Sequence, residues 1–220
     1  MCKALGPFSK EKKIKEVTGM PKKVDFKKDY KDLYLPKTKP MLIDGARDPN
    51  HKEYQQAVGT LYALTFTIKM SKMSGNQPPG YYEYVVPPLE GLWWISGGAF
   101  SFEERDNWLW TSLIRQPEFV TPSVFAWAVE ECRRKKLELD LKKARFETFS
   151  EGLCVQIMHI GPYSDEPRSI ALLKEFIEKN GLVDQTGSER KHHEIYLSDP
   201  RRTAPEKLKT VLRHPVARVL

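Results

Sequence analysis

Apolar residues recur at two periods along this chain, and the alternation between them sketches a mixed fold. From His51 to Met70, Tyr54, Ala57, Val58, Leu61, Tyr62, Leu64, Thr65 and Ile68 share one face at the spacing of an amphipathic helix. Met41 to Ala46 ahead of it reads as a short strand, and Ser71 to Pro79 after it as a loop. Tyr81 to Val86 and Leu92 to Ile95 then read as strands around a Pro87-Pro88 turn. The order returns further on: Gly152 to Ile160 as strand, Arg168 to Lys179 as helix, His192 to Leu197 and Thr210 to Val216 as strands, with Gly181 as a helix stop.

The recurrence suggests an internal duplication. Gly80-Tyr81-Tyr82-Glu83-Tyr84-Val85-Val86-Pro87-Pro88 lies over His192-His193-Glu194-Ile195-Tyr196-Leu197-Ser198-Asp199-Pro200 at an offset of 111, each carboxylate preceded by an aromatic pair and followed by a proline turn. Upstream, Gly45-Ala46-Arg47-Asp48-Pro49 precedes its helix as Gly161-Pro162-Tyr163-Ser164-Asp165 does, at an offset of 116. Between the repeats, roughly Phe102 to Lys143 reads as a helical insertion carrying Trp108, Trp110, Phe119, Phe125 and Trp127, with Trp93 and Trp94 just before it. Any one of these rings can simply pack a helix on the sheet. So many amphipathic aromatics around a strand carboxylate is also how a pocket for a flat hydrophobic ligand is built.

Glu194 is the sharpest chemical signal. Glu is depleted in strands and costly to bury alone, so it faces either water or a site that uses its charge. Regular alternation places His192, Glu194 and Tyr196 on one face and His193 and Ile195 on the other. His192 and Glu194 make a two-ligand metal fragment without a third partner, and a histidine that hydrogen-bonds the carboxylate is the simpler reading, so no metal is expected. Glu103 and Glu104 suit a helix start, from which Glu104 could reach a pocket.

Charge and composition narrow the class. Residues 1 to 39 hold twelve Lys, no Arg and five acids, whereas the rest of the chain carries 24 basic and 24 acidic residues, so the formal net charge of +7 sits in an N-terminal arm. A basic arm can meet phosphates, but no helix-turn-helix, zinc finger or aromatic-laced basic patch accompanies it, which argues against nucleic acid. No run reaches the ~18 apolar residues of a membrane span, and the N-terminus lacks the apolar core of a secretory signal, so a cytoplasmic protein is expected. The three cysteines show neither a disulfide framework nor zinc spacing, and no Walker glycines are present, so no cofactor is expected.

Gly161-Pro162-Tyr163, the helix ending at Gly181, His193 to Thr203 and Leu212-Arg213-His214-Pro215-Val216 together resemble the GyrI-like small-molecule-binding domain, over about residues 40 to 220 and most strongly in the second half. The resemblance implies an α+β fold of two strand-helix-strand-strand modules related by pseudo-twofold symmetry. Here these fall at about 40–100 and 144–220, with the Trp-rich insertion at about 102–143 and the Lys-rich arm at 1–39. Some members are effector domains of multidrug-sensing activators, where a buried strand Glu faces aromatic drugs. This chain shows no DNA-binding module and is closer in build to the stand-alone cyclopropanoid cyclopropyl hydrolases, which protect cells from yatakemycin- and duocarmycin-type genotoxins. That resemblance implies flat hydrophobic aromatic small molecules as partners. It puts Glu194 on the family's strand carboxylate, and Tyr163 and Tyr196 on its aromatic positions. From this sequence alone, Glu83 is added as a second catalytic carboxyl, and Trp94, Trp108, Trp110 and Glu104 as substrate contacts. A passive drug binder and a protein-binding relative stay open beside the hydrolase, and the oligomeric state is open.

Overall fold

The computed structural model describes residues 3–5, 24–25, 37–96, 104–135 and 138–219; most of the Lys-rich arm, and Glu103, lie outside the described residues. The first unit is β3 (Pro40–Ala46), α1 (Lys52–Lys69), β5 (Leu89–Ile95) and β6 (Trp108–Arg115). The second is β8 (Cys154–Ile160), α3 (Glu166–Lys179), β10 (His192–Tyr196) and β11 (Lys209–Arg218). Short strands β1 (Lys3–Leu5), β7 (Arg145–Phe146) and β9 (Leu182–Asp184) extend the sheet, and α2 (Pro122–Lys135) follows β6.

The strands run in the order β1-β8-β11-β10-β5-β6-β3-β7, with β9 pairing β11, and every pairing in this sheet is antiparallel. Reading outward from the middle, β10-β11-β8 on one side mirrors β5-β6-β3 on the other. This is the pseudo-twofold pattern of two strand-helix-strand-strand modules in an α+β fold. The seam between the units is the β10–β5 pairing, where His192 faces Trp93, Glu194 faces Gly91 and Tyr196 faces Leu89.

The helices α1 and α3 lie on one face of the sheet. α1 buries Ala57, Leu61, Leu64 and Ile68 against Met41, Ile43, Trp110 and Ile114, while α3 buries Ile170, Leu173 and Ile177 against Val155, Ile157, Leu212 and Val216. Each fully buried aliphatic chain contributes ~1.5–3 kcal/mol. α3 starts with a proline in its first turn and ends ahead of Gly181, whose φ of 62° is the left-handed conformation that glycine accepts most readily. Because α1 packs over the β3–β6 side and α3 over the β8–β11 side, the two central strands lie under the gap between the helices.

Two sequence expectations are corrected here. Among the described residues the inserted segment holds one α-helix, α2, and two short 3-10 turns, while Trp108–Arg115 is strand β6, paired on both edges with β5 and β3. Its Trp108, Trp110, Ser112 and Ile114 alternate with Leu109, Thr111 and Leu113, a period-two pattern that satisfies two ladders at once. The other correction concerns Glu83. The segment from Tyr81 to Val86 contributes only β4 (Tyr84–Val85), which pairs in parallel with β2 (Val24–Asp25) outside the main sheet. The strand occupying the place of β10 in the first unit is β5, so Glu83 is not the counterpart of Glu194. Among the described residues, no helix is long and apolar enough to cross a membrane.

Candidate functional site

Glu194 stands on the helix-covered face of β10, at the seam, only 7% exposed. Its two oxygens are separately held: Tyr196 Oη donates to Oε2 at 2.8 Å, and His192 Nε2 lies 3.1 Å from Oε1. The i, i+2 spacing of a strand puts all three side chains on one face, as the sequence predicts. Across the strand pair, Trp93 Nε1 donates to Tyr196 Oη at 3.1 Å. Gly91 makes this possible, since a Cβ there would lie 2.5 Å from Trp93 Nε1 and 2.9 Å from the Tyr196 hydroxyl. Any other residue at position 91 would push these two groups apart.

The helices close over this row. From α1, Tyr54 stacks on Trp93 at 5.7 Å, meets Trp110 edge-on at 5.0 Å, and turns its hydroxyl toward Ser112 and Tyr196. In the 3-10 turn just ahead of α3, Tyr163 meets Tyr196 edge-on at 5.9 Å and stays 38% exposed, so it stands at the mouth of the seam. His159 fixes that corner through Nδ1 to Ser169 Oγ at 2.9 Å and Nε2 to the Pro162 carbonyl at 3.1 Å.

Glu166, in the first turn of α3, is the residue that sequence reasoning missed. It is 2% exposed, and its Oε1 has no hydrogen-bond partner. Burial first, and the charge of nearby Glu194 second, drive its carboxyl far above the usual carboxylate range. It is therefore neutral at pH 7, an acid beside a carboxylate that accepts hydrogen bonds. Burial, followed by the Glu194 charge, also raises the Tyr196 phenol well above its ordinary value, so that hydroxyl stays a donor. Burial lowers the pKa of His192 against the opposing pull of Glu194, and its ring is neutral at pH 7. In sequence, an acid ahead of Pro167 reads as an ordinary helix-start residue; only the tertiary placement shows what it faces.

The remaining sequence candidates lie elsewhere. Glu83 is partly exposed and ion-paired to Lys69 at 3.0 Å and Lys72 at 2.7 Å; those two lysines hold its carboxyl down at about 2, so it cannot act as an acid near neutrality. Trp94 points to the opposite face of β5, beside Leu109, Thr111 and Arg145, with Lys191 Nζ 4.7 Å above its ring. Its neighbour Trp93 takes the place expected of it. Trp110 is fully buried beneath α1, cross-strand from Trp93 and edge-on to Tyr54, while Trp108 packs edge-on against Trp93 at 5.4 Å. Glu104 is exposed and accepts from Asn107 at 3.2 Å, with no contact to the Glu194 row. Among the described residues no group of three or more His, Cys, Asp or Glu could hold a metal ion.

Glu194 thus stands at the seam of two similar units, under the gap between their helices. The sequence of residues 29–217 matches the family model for the GyrI-like small molecule binding domain. The chain belongs to the GyrI-like family. Two Listeria innocua structures are close to it. One, of an uncharacterized conserved protein, is 48% identical with a TM-score of 0.84, covering 88% of this chain and all of that one. The other, of a hydrolase, is 48% identical with a TM-score of 0.81, covering 89% of this chain and all of that one. The EcmrR C-terminal domain shares the GyrI-like fold at 12% identity and a TM-score of 0.50, covering 84% of this chain and 94% of that one. No curated protein gives a significant match to this chain.

Proposed function

We propose that this GyrI-like protein is a hydrolase that opens the strained cyclopropane of flat aromatic genotoxins of the cyclopropanoid (yatakemycin and duocarmycin) class. The observation that carries the reading is the pairing of Glu194, held by Tyr196 and His192, with the neutral carboxyl of Glu166, whose Oε1 has no hydrogen-bond partner, in the same buried seam. The hydrolase from Listeria, similar along almost the whole chain, supports an enzymatic reading.

In such a toxin the cyclopropane is conjugated to a dienone. Glu194 takes a proton from a water molecule as the water oxygen bonds to the ring carbon. The cyclopropane C–C bond breaks, its electron pair aromatises the dienone, and Glu166 protonates the developing phenolate oxygen. One water is added, no oxidant or reductant is consumed, and the two carboxyls exchange protonation states. The protein's share is positioning and proton placement, since aromatisation and strain release drive the reaction. Tyr163, Tyr54 and Trp93 supply ring faces for a planar substrate, and the phenols of Tyr54 and Tyr196 offer hydrogen bonds to its polar edge.

A non-catalytic binder of aromatic molecules is the second reading, favoured by the fact that both Glu194 oxygens are already engaged. Incubating the purified protein with a duocarmycin-type cyclopropane and following the mass of the product separates the two. Catalysis gives the water-added phenol in excess over enzyme; a binder returns the toxin unchanged.

A further inference from the structure

The Glu194 row continues beyond the seam. His192 meets His214 of β11 edge-on, ring centroids 5.0 Å apart and planes at 87°, and His214 Nδ1 lies 2.7 Å from Asp184 Oδ2 on β9. The first two members are deeply buried: His192 is 0% and His214 4% exposed. His214 Nε2 has no hydrogen-bond partner in this buried position. The last member is not buried, since the Asp184 side chain is 25% exposed, and the Thr186 backbone N–H and hydroxyl fix its Oδ1 at 2.8 and 2.6 Å. Four titratable groups thus run in single file from the centre of the sheet to its β9 edge, crossing β10, β11 and β9.

We infer that Asp184, His214 and His192 form a proton path that connects the buried Glu194 to solvent at the β9 edge of the sheet, at the end of the row opposite Tyr196 and the Tyr163 mouth. The inference rests on the hydrolase reading. After water addition Glu194 holds a proton while the product still fills the seam between it and Glu166. The path returns that proton without waiting for the product to leave. Starting from the tautomer with its proton on Nδ1, His192 accepts the Glu194 proton on Nε2 while Nδ1 passes its own to His214 Nε2, and His214 Nδ1 passes its own to Asp184. This leaves His192 protonated on Nε2, the tautomer that donates to ionised Glu194, and both rings turn over to reset the line. Only O–H and N–H bonds form and break, and one proton leaves at Asp184 for each taken up at Glu194. A centroid separation of ~5 Å with crossed planes is what two imidazoles joined edge to edge by an N–H···N bond of ~2.9 Å adopt, so small ring rotations complete the line. Burial lowers the pKa of His192, while at Asp184 the hydrogen bonds from His214 and Thr186 outweigh burial and hold the carboxyl at about 2, so a proton that arrives there passes on to solvent.

Asp184→Asn and His214→Gln in the full chain test this with a duocarmycin-type cyclopropane and rapid quench. The first turnover should run near the wild-type rate. Later turnovers should slow by up to ~10², with added free imidazole restoring them. Equal slowing of the first and later turnovers, or no slowing in the folded variants, would overturn the path. A second readout does not depend on turnover: imidazole nitrogen NMR at fixed pH should show the His192 nitrogen signals moving in Asp184→Asn and the His214 nitrogen signals moving in Glu194→Gln. If the wild type turns nothing over but these shifts occur, the hydrolase reading fails while the proton line stands. If each substitution moves only its immediate neighbour, the line does not exist.

Discussion

The two faces of strand β10 solve the problem of buried charge in opposite ways. On the face away from the helices, His193 lies between Glu90 Oε2 and Glu151 Oε1, 2.9 Å from each, and Arg213 reaches Glu151 at 2.9 Å while its other donors reach Gln156 at 2.9 and 3.2 Å. Acids are matched by a guanidinium and an imidazolium: the charge and hydrogen bond of Glu151, with Glu90, outweigh burial and raise His193 to about 9, while His193 and Arg213 outweigh burial and hold Glu151 at about 2. On the helix-covered face, one residue along, Glu194 has neutral partners and Glu166 has an oxygen with none. A balanced network has spent its electrostatic freedom on joining β5, β10, β11 and the turn before β8. An unbalanced one still has a proton to give and a place to put one.

The largest effects should come from unbalancing the matched face. Glu151→Gln or Arg213→Met leaves an uncompensated buried charge and should cost ~3–5 kcal/mol in urea unfolding. A cost near zero would mean that water replaces the missing partner and the network is not dry. Next comes Glu194→Gln, which keeps the shape and the Tyr196 contact. It should fold as the wild type does and bind the toxin, while turnover falls by ~10² or more. Wild-type turnover in that variant would leave the passive-binder reading standing.

The pH dependence follows from the same contrast. His193 has its pKa raised from 6.5 to about 9 by folding, so its contribution is complete below 6.5 and is lost as pH rises through 9. Glu151 has its pKa lowered from 4.5 to about 2, so its contribution is complete above 4.5 and is lost as pH falls toward 2. Stability from the matched face should therefore peak between about 4.5 and 6.5, and His193→Gln should flatten the alkaline limb in thermal melts. Glu166 has the reverse sign for a carboxyl: the folded state holds its proton, so it costs stability as pH rises above 4.5. Glu166→Gln removes that cost and should raise Tm at pH 7 by a few degrees, on the scale of ~2–4 °C per kcal/mol. The smallest effects concern the rings. Tyr163→Ala should weaken toxin binding by ~0.5–1.5 kcal/mol, whereas Trp94→Ala, on the matched face, should leave calorimetric binding unchanged.

Much of this architecture is legible in the sequence. The periods of α3, β8, β10 and β11 locate the second unit almost residue by residue, and alternation alone puts His192, Glu194 and Tyr196 on one face. The first unit was harder to read. The rule that a strand carboxylate needs a reason is sound, but Glu90, inside Leu89-Glu90-Gly91-Leu92-Trp93, is the residue in the first unit to which it applies, whereas Glu83 precedes a two-residue strand and sits among lysines. The short tyrosine-rich motif matched by chance of composition, and strand order overrode it. Which of Trp93 and Trp94 faces the site depends on register, a single-residue choice that only the pairing with Trp110 and His192 fixes. Glu166 was out of reach because a first-turn acid is unremarkable until α3 is laid over β10.

The protonation of Glu166 tests the contrast most directly. Infrared difference spectroscopy of the wild type at pH 7 should show the carbonyl stretch of a buried protonated carboxyl, absent in Glu166→Gln and retained in Glu151→Gln. If the wild type shows no such band, or if the band disappears with Glu151 rather than Glu166, the two faces do not divide charge as described and the seam is not poised for proton transfer.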